Sequence, residues 1–324
     1  MAVSLGTNIA NPISTALSQW LEFDTMGKLA NYGKLGVTDP DAAIKALFAN
    51  SEQGLWYDYS DLTTMFQDRA GTTPVTADGQ PVGLILDTSK GLVLGSELAP
   101  DWDLLGGGVG WFVDPVFTIA NGVAVGVVSV MDGRKYLYPE IINTEIGKVY
   151  EATVVVTEVT GSFYIFLWDG TEDIGEILNI TDPGSYSLIF RANSTSGYYP
   201  YVSLLEPARV VVDSISVKEV TGNHATAPND ASRPLKTSTS AADWINYDAV
   251  DDVLNSTFPS SLGSSCTVCR ANVGAAPTIL TAQTIGTSYA DSTDNAGLII
   301  INRALTAQET TDVTAWLLAK GATS

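Results

Sequence analysis

The chain has 324 residues, 45% of them apolar and only 16% charged, with 29 glycines and 14 prolines. That length suits about two domains, and the composition favours short strands and turns over long solvated helices. Sixteen basic against thirty-six acidic residues leave a net charge of −20, which repels phosphate backbones and argues against nucleic-acid binding.

Near the start, Asn11 and Pro12 offer a cap and a first-turn proline, after which Ile13, Leu17, Trp20 and Leu21 share one helical face. No Lys or Arg precedes Lys28, so a secretory leader is not expected. The uncharged run 115–131 is too short and too interrupted by polar residues to span a bilayer. A second helix start is read at Asp39-Pro40, followed by Ile44, Leu47 and Phe48. Residues 1–50 are therefore expected to be a helical anchoring region, its apolar stripes covered by the chain itself or by a neighbouring subunit.

Trp56, Tyr57, Leu62, Met65 and Phe66 then form an apolar cluster around a short helical turn with Ser60 as the expected cap. The turn Ala77-Asp78-Gly79-Gln80-Pro81 leads into an expected strand over 82–86. Beyond residue 92, Tyr150, Ala152, Val154 and Val156 alternate with Glu151, Thr153 and Val155; "SFYIFLW", "YSLIF" and "RVVVDSISVKEV" follow as further strands. Short β-branched strands divided by Gly, Asp and Pro predict a jelly-roll sandwich over 92–220.

After this block come Gly222-Asn223-His224-Ala225, Arg233-Pro234 and Tyr247-Asp248-Ala249-Val250-Asp251-Asp252. The pair Cys266 and Cys269 has the CxxC spacing of redox and zinc sites. With a single histidine in the chain it lacks a tetrahedral ligand set, and two half-buried strand cysteines are the simpler reading. At the C-terminus, Thr306 and Glu309 form a capping box ahead of Val313, Trp316 and Leu317 on one face, with Lys320-Gly321 at the stop.

The stretch from Leu47 to Gly91 resembles a segment near the start of bacteriophage virion proteins of the tail-fibre and head-decoration kind. In those proteins it runs directly into a "GNHA" loop, an "RP" step and a "DGVDD" turn. Here the matching pieces begin at Gly222, and "STDNAGLIIINRALTAQETTDVTAWLLAKG" is similar to that family's last strand and helix. The resemblance implies a laminin-G-like, concanavalin-type sandwich over 51–91 and 221–324, interrupted by 92–220. The insert is similar to carbohydrate-binding-module-like jelly rolls, on "SELAPDW", "GWFV", "GKVYEATVVV", "DPGSYSLIF" and "VDSISVKEV". The fold expected is thus mostly β: two sandwiches with an N-terminal helical region and a C-terminal helix.

His224 lacks a second histidine or a Gly-x-Ser-x-Gly elbow to work with, and the resemblance places it in a structural loop. Asp248, Asp251 and Asp252, and also Asp291, Asp294 and Asn295, are oxygen-rich groups that could seat calcium; the alternative is solvated turns. No other cofactor is expected. Among the aromatics of the insert, Trp102, Trp111, Tyr136, Tyr138, Trp168, Tyr198, Tyr199 and Tyr201, the run Tyr198-Tyr199-Pro200-Tyr201 stands out, because consecutive strand residues cannot all face a core. Tyr198, Tyr199, Tyr201 and Trp168 are the expected glycan-stacking set.

These readings predict a non-enzymatic virion protein made in the host cytoplasm and displayed on the particle, as a capsid decoration, head fibre or tail-associated part. It would assemble as a homo-oligomer with other virion proteins, without membrane insertion, and could adhere to host-surface glycans. The rival expectation is a secreted carbohydrate-binding protein or polysaccharide depolymerase.

Overall fold

The computed structural model describes residues 40–130, 133–140, 142–195, 197–204 and 207–323. The helix expected over 13–21 lies outside them. The helix expected after Asp39 is α1 (Pro40–Ala46). Strands β1 (Gly54–Asp58), β2 (Met65–Phe66) and β3 (Leu84–Ile85) follow. Next come β4 (Leu94–Glu97), β5 (Trp111–Val113), β6 (Phe117–Ala120), β7 (Val123–Val128), β8 (Lys135–Pro139), β9 (Val149–Thr160), β10 (Phe163–Trp168), β11 (Asp173–Ile180), β12 (Gly184–Arg191), β13 (Tyr199–Leu204) and β14 (Ala208–Val220). The chain ends with β15 (Ala225–Thr226), β16 (Leu235–Ser238), β17 (Asp243–Asn246), β18 (Leu254–Thr257), β19 (Gly263–Arg270), β20 (Thr278–Ile285), β21 (Ser288–Asp291), β22 (Gly297–Ile301) and α2 (Ala307–Ala319). The protein is mostly β.

Four sheets make two sandwiches. In the first, the order β1-β22-β19-β20 packs against β2-β3-β15-β18-β21, and Leu55, Tyr57, Met65, Ile85, Val268, Leu298 and Ile300 fill the space between. The helices cover the other side of β1-β22-β19, where Ile44, Leu47, Phe48, Trp56, Ile299, Ile301 and Trp316 form a second core. This explains the unbroken run "LIII" in β22: a strand covered on both faces has no polar side, so period-2 alternation disappears. It also answers what covers the stripe of α1, which packs inside the chain against α2.

Cys266 and Cys269 follow the same logic. Both are fully buried, beyond the half-burial expected for them, and they enter opposite cores because three steps along a strand reverse the face. Burial pushes the Cys269 thiol up to about 12, so it is an inert apolar filler. The short turn before β2 is a 3₁₀ helix at Leu62–Thr64, and its cap is Asp61, whose carboxylate accepts from Thr63 N at 3.0 Å. Ser60, the expected cap, instead donates its hydroxyl to Asp58.

The second sandwich sets β11-β10-β13-β8-β5 against β12-β9-β14-β7-β6, with β4 pairing to β14. Leu137, Val154, Phe163, Ile165, Val202, Val210, Val212 and Ile215 lie between the sheets. Phe66, Leu84 and Leu86 of the first sandwich meet Val149, Ile189 and Val220 of the second, and Arg191 N donates to Ala70 O at 2.6 Å. One carboxylate fastens the place where the chain leaves the first sandwich and returns. Asp87 Oδ1 accepts from Trp56 N and Ser89 N, each at 2.9 Å, and its Oδ2 accepts from Asn223 N at 2.8 Å.

Candidate functional site

The run Tyr198-Tyr199-Pro200-Tyr201 splits as the geometry of a strand requires. Tyr198, just before β13, turns inward: it is 0% exposed, its ring lies 5.0 Å from that of Phe190, and its hydroxyl accepts from Asn193 N at 2.6 Å. Tyr198 is therefore a core residue, and the expectation that it stacks on a glycan is corrected. Tyr199 and Tyr201, two apart on β13, share the outer face of the sheet.

Strand register brings other rings to them. Trp168 of β10 stands opposite Tyr199, and Phe166 opposite Tyr201, while Phe112 of β5 stands opposite Tyr138 of β8. Stacks run across the sheet: Phe112 to Tyr138 at 4.8 Å, Tyr138 to Tyr199 at 4.6 Å and Phe166 to Tyr201 at 5.1 Å. Tyr136 meets Tyr201 edge-on at 5.5 Å. Four neighbouring strands thus carry an outward aromatic layer, backed by the apolar inner face of the same sheet.

Within this layer Tyr136, Tyr138, Trp168, Tyr199 and Tyr201 line a shallow recess of about 180 Å³. Rings that stack on one another hide their faces, whereas Trp168 is half-buried and stacks on no other ring among the described residues.

The rim is polar without being strongly charged. The Tyr201 hydroxyl donates to Asp173 Oδ1 at 2.6 Å, and Asp173 is exposed. Burial raises the hydroxyls of Tyr138, Tyr199 and Tyr201 above the ordinary phenol range, and for Tyr201 the bond to Asp173 adds to it. All three stay neutral near pH 7 and offer O–H donors and acceptors. Arg134 lies over the Phe166 ring at 5.4 Å. Tyr136 and Tyr138, candidates in the sequence, join Trp168, Tyr199 and Tyr201 on this face, and Phe112 and Phe166, which the sequence did not mark, complete it. The alternation in "WFV" and "KYLYP" was the available signal. Trp111 lies in the core and donates Nε1–H to Pro100 O; Trp102 sits on the opposite sheet with Lys218 over its ring at 5.7 Å.

His224 lines a larger hollow of about 560 Å³ between the sandwiches, yet neither ring nitrogen is free. Nδ1 accepts from Asp87 N at 2.9 Å and Nε2 lies 2.8 Å from Val220 O, so the proton belongs on Nε2 and both positions serve the backbone. Burial lowers its pKa, keeping the ring neutral. Of the acids there, Glu145 and Glu219 both grip Lys148, at 2.9 and 3.0 Å.

The carboxylates of Asp248, Asp251 and Asp252 converge, with one oxygen from each lying within 4.8 Å of the others, and as hard oxygen donors they fit calcium in kind. They also close their own turn. Asp248 Oδ1 accepts from the amides of Val250, Asp251 and Asp252 at 2.8 to 3.3 Å, while Asp252 Oδ2 accepts from Asp248 N. The bond from Val250 N and its neighbours lowers the Asp248 pKa. Asp291, Asp294 and Asn295 are structural: Asp291 is buried against Arg270 and Asn295, and Asp294 accepts from Tyr247 N at 2.7 Å.

No family model matches the chain, and no curated protein matches its sequence. Solved structures similar to it are carbohydrate-binding-module and adhesin β-sandwiches. A CBM4 structure is 9% identical over 33% of this chain and 76% of its own, with a TM-score of 0.26. The tandem CBM22 domains of Xyn10C from Paenibacillus barcinonensis are 14% identical over 67% and 94%, at 0.25. The adhesin domain of Epf from Streptococcus pyogenes is 9% identical over 81% and 88%, at 0.26. At TM-scores this low, none of these likenesses bears on what the chain does.

Proposed function

We propose that the chain is a non-catalytic adhesive protein whose second sandwich binds a neutral saccharide on the aromatic face of β5, β8, β13 and β10. The observation that carries this reading is the recess walled by Trp168, Tyr199, Tyr201, Tyr136 and Tyr138. A pyranose has an apolar C–H face and an equatorial rim of hydroxyls. The indole and phenol rings suit the first, and the neutral tyrosine hydroxyls with exposed Asp173 suit the second. A face built on paired strands is preorganised, so little ordering cost opposes binding. The −20 charge disfavours polyanionic glycans.

Following the sequence resemblance, we propose further that this binding acts from the surface of a bacteriophage particle, with the first sandwich and its helices as the scaffold. Immunogold labelling of purified particles tests that setting. A glycan array probed with the whole chain tests the binding: neutral saccharides are expected to be retained, and their retention lost in Trp168→Ala and Tyr199→Ala. Retention unchanged by both substitutions would remove the proposal. Release of reducing sugar from a bound glycan would show a depolymerase instead.

A further inference from the structure

Residues 253–290 contain one charged side chain, Arg270, in a protein of net charge −20. That arginine is already engaged, with Asp291 at 3.2 Å and with the Tyr289 hydroxyl. The surface formed by this segment is accordingly free of net charge. It includes the exposed Thr281, Ala282, Thr284 and Ser288 and the side chain of Leu280, which is 42% exposed.

The same segment holds two open edges. β20 ends the sheet β1-β22-β19-β20, and β21 ends its facing sheet β2-β3-β15-β18-β21. Between them runs a groove of about 230 Å³ bordered by Leu280, Gln283, Ile285, Ser288 and Tyr289. An edge strand presents unpaired N–H and C=O groups and is normally guarded by charge, proline or a bulge. β20, "TILTAQTI", has neither charge nor proline. Its one guard is a bulge: Cys266 pairs with Gln283 but Val268 with Leu280, and Ala282 takes φ +54°. The bulge divides the edge into two short runs, Thr278–Leu280 and Gln283–Ile285, each still able to pair.

We propose that two copies of the chain associate about a two-fold axis through this face. Part of one β20 would pair with its equivalent, and Leu280 of each copy would enter the groove beside β20 of the other. A second copy is the occupant the observations favour. An antiparallel strand edge is its own complement under a two-fold axis, and elsewhere two such acidic surfaces repel.

Sedimentation equilibrium of the whole chain tests this against Leu280→Glu and Thr284→Glu, which put like charges opposite each other across the axis. The wild type is expected to be dimeric, and each variant to shift at least tenfold towards monomer with an unchanged far-ultraviolet circular dichroism spectrum. Hydrogen exchange of the wild type adds a readout that needs no variant: the β20 amides should slow as protein concentration rises. A monomeric wild type, or an oligomer indifferent to both glutamates and without slowing in β20, would overturn the proposal.

Discussion

The only histidine makes the sharpest prediction about stability. In the folded protein His224 Nδ1 must stay unprotonated to accept the Asp87 amide, while Nε2–H serves the Val220 carbonyl, and burial lowers its pKa below the ordinary 6.5. In the unfolded chain the ring takes up a proton near pH 6.5. Between that pH and the lower folded value the unfolded state holds the extra proton, so the folded state loses stability as the pH falls. The loss is at most about 1.4 kcal/mol per pH unit over that window. His224→Gln has no group titrating there and can still offer an acceptor and a donor, though at different reach. Urea-unfolding midpoints of both proteins, followed across that range, give the difference, because carboxylates common to both cancel. Wild type should lose stability relative to the variant as the pH falls below about 6.5, by at most about 1.4 kcal/mol per pH unit. Parallel pH curves, or a ring pKa by NMR at or above 6.5, would refute the assignment of His224 as a neutral clasp for the chain's return.

Tyr198 and Tyr199, adjacent in sequence, should separate cleanly: Tyr198→Ala should cost about 3–5 kcal/mol as a buried aromatic truncation, whereas Tyr199→Ala should cost under about 1.5 kcal/mol and act on saccharide retention instead. Thermal unfolding and glycan retention, measured on both variants, check the split. Thr306→Ala, which removes the side chain that accepts Glu309 N at 3.2 Å, should destabilise the α2 start by about 1 kcal/mol, read from the denaturation midpoint. The Arg303 guanidinium holds Glu309 down to about 2. That stabilisation should therefore persist at neutral pH and be lost only as the pH falls from the ordinary carboxylate range towards 2, which acid titration of Glu309→Gln against wild type would show.

Much of this architecture was legible in the sequence because its signals are local. The capping box at Thr306 and Glu309 and the alternation of "YEATVVV" specify α2 and β9 without reference to distant residues. What covers an element was not legible. The stripe of Ile44, Leu47 and Phe48 could not name its partner, since Trp316 and Ile299 lie more than two hundred residues away. The full burial of Cys269 likewise depends on helices that close the outer face of β19. At the aromatic site, "YYPYV" revealed that some tyrosines must face outward, but strand register decided which. Only the pairing of β5 with β8, of β8 with β13 and of β13 with β10 brings Phe112, Tyr138, Tyr199 and Trp168 into one layer.

Calorimetric titration of a neutral saccharide retained on the array, into wild type and into Trp168→Ala, tests the aromatic face most directly. Removing the one indole of this aromatic face should weaken binding at least tenfold, about 1.4 kcal/mol, while the unfolding midpoint shifts little. Equal affinity for the two proteins would contradict the account.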